Sequence, residues 1–203
     1  MSKVPFCVNG AIREAWEAVK KNFFLYCGVL LVVLLLSFIS GTVSSQFKEN
    51  SPAIYIVLTL VIWFLSIIVK IGVLKINLLI AKGKEAGLLE LFSHIELFLK
   101  FLVAGILYAL MVVIGLLLLV VPGIYLALKY QFFGYLLVDK NMGPLEALKR
   151  SGEMTKGAMW DLFFLAVNIG ALNLIGMVCL LVGSFVTVPI GWVATAKVYR
   201  ELE

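Results

Sequence analysis

Four long apolar stretches, residues 23–44, 53–81, 100–139 and 159–198, run through this chain. A helix rises about 1.5 Å per residue and needs about 20 apolar residues to cross a hydrocarbon layer of about 30 Å. The first stretch suffices for one crossing, the second for one crossing with its end projecting, and the third and fourth for two each. An aqueous fold could not hide this much apolar surface: 63% of the 203 residues are apolar and 14% are charged, where ordinary soluble domains carry about 25% charge. The mean hydropathy of +1.08 agrees. No small-residue cleavage site follows the first stretch, so it is expected to remain as a spanning helix.

The third stretch is interrupted by Val121-Pro122-Gly123 and the fourth near Gly183-Ser184. Read as tight turns, these predict six spans at about 23–44, 53–76, 101–121, 123–139, 159–181 and 184–198. The expected fold class is all-α: one integral membrane domain over residues 1–203, a polytopic bundle of six transmembrane helices in three hairpins. The 17 Lys and Arg residues then fall unevenly. Thirteen lie on the side of the N-terminus, the 82–100 and 140–156 segments and the C-terminus, and only Lys48 lies opposite. Lys70, Lys75 and Lys129 fall within the apolar stretches. By the positive-inside rule both termini are expected in the cytoplasm.

A short segment with helical apolar spacing precedes each hairpin, at about 10–21, 87–99 and 143–157. In the first, Ile12, Ala15, Trp16 and Val19 oppose Arg13, Glu14, Glu17, Lys20 and Lys21. In the second, Leu88, Leu91, Phe92, Ile95 and Leu99 oppose Glu90, Glu96 and Lys100. In the third, Pro144 suits the first turn of a helix bearing Glu146, Lys149, Arg150, Glu153 and Lys156. Each is expected as an amphipathic helix at the cytoplasmic surface, an anchor for its span or a collar that binds partners.

The stretch 121–164 carries three further features: the Val121-Pro122-Gly123-Ile124-Tyr125 turn, the Tyr135-Leu136-Leu137-Val138-Asp139 run, and the segment from Gly143-Pro144 to Lys156-Gly157. It resembles the signature segment of a broad bacterial and archaeal family of integral membrane proteins. That family includes the membrane domain fused to some glycerophosphoryl diester phosphodiesterases. The resemblance implies a fold and a membrane location, and no activity, because the catalytic barrel of the fused members has no counterpart in this sequence.

Clusters that carry chemistry are missing. His94, the one histidine, has only Glu90 four residues before it, short of a zinc site. Asp139 and Asp161 sit at the ends of spans, and Cys7, Cys27 and Cys179 are odd in number and widely spaced. No catalytic, cofactor-binding or metal residue is assigned and no enzyme activity or cofactor is expected. Gly105xxxAla109 and Ala166xxxGly170 are expected to pack helices within the bundle. Lys70 and Lys75 are expected to snorkel to cytoplasmic phosphates. Lys129 stands out: counted from Pro122-Gly123 it lies about 9 Å below the outer surface, where an unpaired ammonium is costly. No carboxylate lies at that depth. The candidate site is therefore a polar pocket of Lys129, Asn173 and Thr187, with carbonyls freed by Pro189, holding an anionic lipid or ligand; the alternative is that Lys129 snorkels to the outer headgroups.

The expected function is a non-catalytic membrane module that interacts with lipids or organises partner proteins through the amphipathic segments. The alternative is a small-solute or ion transporter or channel, motivated by Lys129, Asn168, Asn173 and the Pro189 break. The expected partners are membrane lipids and proteins; nucleic acid is not expected, since the hydropathy assigns the net charge of +5 to a membrane surface.

Overall fold

The computed structural model describes residues 7–48, 51–178 and 183–203, and every regular element in them is helical. In chain order these are α1 (Val8–Lys21), α2 (Phe23–Phe47), α3 (Pro52–Ala81), two 3-10 turns (Leu88–Leu91 and Ile95–Leu97), α4 (Phe98–Leu118), α5 (Val120–Tyr130), α6 (Phe133–Lys140), α7 (Pro144–Met154), α8 (Met159–Val178) and α9 (Ser184–Leu202). Five stretches are long and apolar enough to cross a membrane: Phe23–Phe47, Pro52–Ala81, Leu88–Leu118, Val120–Lys140 and Met159–Val178. They point to a multi-pass membrane protein. The sixth expected span falls in α9, whose last turns carry Lys197, Arg200 and Glu201, so its apolar length is too short to join the other five.

Burial is concentrated at one end of the bundle. Ile71, Ile76 and Leu78 of α3, Leu136 and Leu137 of α6, Val193 and Tyr199 of α9 and Ala15 and Val19 of α1 are all at most 1% exposed. At the other end Leu117 and Val121 are 82% and 76% exposed, as side chains facing lipid are. The buried end is also the charged end. There Lys82 at the end of α3 pairs with Asp139 of α6, Lys140 with Glu203, and Arg200 donates to the Ala81 carbonyl. The last turns of α3, α6 and α9 are thus tied together three ways. Lys197 of α9 donates to Glu14 of α1 at 2.6 Å, and this hydrogen bond and the lysine's charge hold the Glu14 carboxyl below its ordinary pKa.

Several expectations are corrected by the structure. The bend after α4 comes at Leu119, whose backbone is extended (φ −166°, ψ 154°), and Pro122-Gly123 lie in the first turn of α5. Pro is tolerated there because first-turn amides have no partner within the helix. Gly123 remains necessary for another reason: a Cβ on Gly115 would stand 2.9 Å from its Cα, so the two glycines let α4 and α5 touch at their ends. The expected span 123–139 is not one helix but two, α5 and α6, separated at Gln131 and Phe132. The segment 87–99 forms two 3-10 turns leading into α4 rather than an α-helix. Leu91 there lies against Gly72 so closely that a Cβ at position 72 would overlap its backbone. Gly105 and Gly170 have nothing within 4 Å of where a Cβ would stand, so neither glycine is the point of close helix approach expected of it. The end of the expected span 159–181, and Cys179, lie outside the described residues.

Candidate functional site

Helix α3 carries Thr59, Ser66, Lys70 and Asn77 at spacings of seven, four and seven, which place all four on one side of a helix. That side faces Ser37 and Ser40 of α2 across an open cavity of about 780 Å³, whose floor is completed by Tyr135 of α6 and Trp192 of α9. Apolar walls come from Val33, Leu36, Ile62 and Trp63. Thr59 to Asn77 spans about 27 Å along the helix, so the cavity is a lengthwise groove. Its exposed members, Ser37, Ser40, Thr59 and Lys70, sit between spanning helices, which makes it open sideways to lipid.

The polar groups are arranged by depth. At the charged end the floor is fixed: Asn77 is 1% exposed, and its Oδ1 accepts from the Tyr26 hydroxyl at 2.9 Å. Tyr135 donates to the Trp192 carbonyl at 3.4 Å. Ser66 donates to the Ile62 carbonyl and Ser37 to the Val33 carbonyl, at 2.8 and 3.0 Å. Their protons are spent on the helix, and each oxygen still offers a lone pair to the groove. Lys70 is different in kind. Among the described residues no carboxylate pairs with it, and it lies one turn, about 6 Å, deeper than Leu74, which meets Gly134 and Phe101 where α4 begins.

A second arrangement lies at the break between α5 and α6. A break inside a spanning segment leaves backbone groups without helical partners, and in hydrocarbon each unpaired group costs several kcal/mol. Here α7 supplies them. Ser151, fully buried, accepts from the Phe132 amide at 3.2 Å and donates to the Lys129 carbonyl at 3.1 Å, and Thr155, also fully buried, donates to that same carbonyl at 3.1 Å. Helix α7 begins after Asn141, whose left-handed backbone (φ 52°) closes α6 and whose side chain and carbonyl both accept from Lys100. From there it returns alongside α6 to the break.

The three residues singled out from the sequence fall in separate surroundings. Lys129 ends α5 with its ammonium 5.8 and 5.3 Å from the ring centres of Tyr125 and Tyr130, and its Cε packs at Gly152 of α7. Asn173 lines a cavity with Gln131 of the break. Thr187 of α9 lies against Gly176 of α8. The depth assigned to Lys129 assumed a turn at Pro122-Gly123; with α5 starting at Val120 and ending at the break, Lys129 instead meets α7. The groove residues recur as a polar period on α3, a signal distinct from the pairing of Lys70 with Lys75 as snorkelling cations. The pair His94 and Glu90 is joined through Ser93, whose hydroxyl lies 2.7 Å from Nδ1 of His94 and 3.1 Å from Glu90 Oε2. No group of three or more His, Cys, Asp and Glu occurs among the described residues.

No family model, curated protein or solved structure matches the chain.

Proposed function

We propose that this chain is a non-catalytic, six-span protein of a prokaryotic cell membrane, with both termini in the cytoplasm, that holds an anionic lipid of the inner leaflet in the α2/α3 groove. The reading extends the resemblance of residues 121–164 to the membrane domains described above. One observation carries it: Lys70, a cation without a carboxylate, on the wall of a cavity of about 780 Å³ that opens between spanning helices. An ammonium that stands exposed between spanning helices at such depth seeks an anion, and the nearest abundant one is a headgroup phosphate. The volume lies within the range of about 300–1,000 Å³ usual for small-ligand sites, and the apolar walls suit an acyl chain. With 13 basic residues on the charged side, that side is the cytoplasmic one, which sets Lys70 beneath inner-leaflet headgroups.

The faces of α1 and α7 support a lipid role over a partner-organising one. Ala11, Ala15 and Val19 of α1 are spent against the rest of the chain, as are Ala147 and Leu148 of α7. The large apolar residue that α1 leaves exposed is Trp16, with Lys20 over its ring at 5.0 Å, a pair suited to a headgroup layer.

The test is native mass spectrometry of the protein released from membranes in mild detergent. Wild type and Lys70→Arg are expected to retain a bound anionic phospholipid, and Lys70→Met to lose it while staying folded. Lys129→Met, in the same assay, reports on the Lys129 site separately. It is expected to retain the lipid, because the Lys129 ammonium already has two aromatic rings beside it. Equal retention by wild type and Lys70→Met would overturn the groove.

A further inference from the structure

Gln131 is the residue at which the spanning segment α5/α6 breaks, and its side chain leaves the backbone repair made by Ser151 and Thr155 and enters a second cavity, of about 320 Å³. Asn173 of α8 and Thr195 of α9 reach the same cavity, and Leu162, Leu165 and Ile169 form its apolar wall. Two polar atoms of its lining residues are buried without a hydrogen-bond partner: the amide nitrogen Nε2 of Gln131 and the amide oxygen Oδ1 of Asn173. Thr195 donates its proton to the Gly191 carbonyl at 2.8 Å and keeps an oxygen lone pair. The residues around the cavity therefore carry one unused donor and two acceptors, and none of them is charged.

This combination selects a ligand by chemistry. A cation or an anion entering would find no counter-charge among these residues, and an apolar molecule would leave both amides unsatisfied, at about 1–3 kcal/mol each. A small uncharged molecule that both donates and accepts hydrogen bonds satisfies the whole set. We infer that the cavity at the α5/α6 break is a binding site for such molecules: water, or a compact polyol or amide that replaces it. Its volume is ample for several waters, each of which takes about 30 Å³ in the liquid. Interrupted helices beside polar cavities are how membrane proteins place binding groups at depth, because irregular backbone survives there only when protein or water satisfies it. The site shares no residue with the α2/α3 groove, so loss of lipid from Lys70→Met leaves this inference standing.

Radiolytic hydroxyl labelling of the protein in lipid nanodiscs tests it, since radicals formed from bound water oxidise only the side chains beside that water. Leu162 and Leu165, which are 1% and 3% exposed, are expected to be labelled more than Leu174 and Ile175, which are 66% and 62% exposed on the same helix but face lipid. Asn173→Leu should abolish the label at Leu162 and Leu165, and Asn173→Ser, which keeps a polar group, should preserve it. Flux of glycerol and urea into proteoliposomes separates the occupants: slower flux in Asn173→Leu than in wild type identifies a solute at the site, and equal flux with labelling intact in wild type identifies water. Labelling of Leu162 and Leu165 no greater than of Leu174 and Ile175 in the wild-type protein would overturn the inference.

Discussion

At the scale of single residues, the most consequential side chain is Ser151. One hydroxyl accepts the Phe132 amide and donates to the Lys129 carbonyl, so it closes both sides of a gap in the helical ladder at once. Removing it leaves a buried amide unpaired while Thr155 still serves the carbonyl. Ser151→Ala is therefore predicted to destabilise by about 1–3 kcal/mol, the penalty for a buried unsatisfied donor, read as a lower unfolding midpoint in detergent. Ser151→Thr, which restores the hydroxyl, should recover part of the loss. Lys129 illustrates the same point from the other side. Its backbone carbonyl is shared by two hydroxyls, while its ammonium stands by the rings of Tyr125 and Tyr130.

At the scale of elements, close approach decides which glycines matter. Gly115 is predicted to be intolerant of a larger side chain, because a Cβ there already presses on Gly123 and on the Leu126 side chain at 2.9 Å. Gly115→Leu should lower stability by about 1–3 kcal/mol or more, whereas Gly105→Leu, with nothing within 4 Å of its Cβ, should change it by less than about 0.5 kcal/mol. Thermal unfolding of the two variants side by side checks the contrast. The apolar stretches were legible in the sequence because each crossing demands its own length of hydrocarbon-compatible residues. The break at Gln131 and Phe132 was not, because neither residue is a helix breaker and the groups that make it tolerable, Ser151 and Thr155, lie some twenty residues later. Leu88, Leu91 and Ile95 are spaced at three and four, as on an α-helix, so their period pointed away from the two separate 3-10 turns that form. In the site, Thr59, Ser66, Lys70 and Asn77 formed a readable stripe, but the serines opposite them on α2 became relevant only once α2 and α3 were side by side.

At the scale of the molecule, the ion pairs Lys82 with Asp139, Lys140 with Glu203 and Lys197 with Glu14 tie α3, α6, α9 and α1 at one end. At the other end exposed leucines and valines face outward. If all of these pairs lie in the cytoplasm, single cysteines at positions 84 and 200, introduced with the three native cysteines replaced, should resist an impermeant thiol reagent in intact cells. A cysteine at position 48 should react. Labelling of position 200 in intact cells would reverse the proposed orientation.

The bracing of the α5/α6 break by α7 also sets an order of events during synthesis. When α5 and α6 leave the ribosome, the hydroxyls that complete their backbone pairing lie more than ten residues behind them in the chain and have not yet emerged. Until Ser151 and Thr155 emerge, the Phe132 amide and Lys129 carbonyl require another partner, so this segment should dwell at a hydrated insertion channel and not move into lipid on its own. Assembly of α5 and α6 thus awaits a helix outside them.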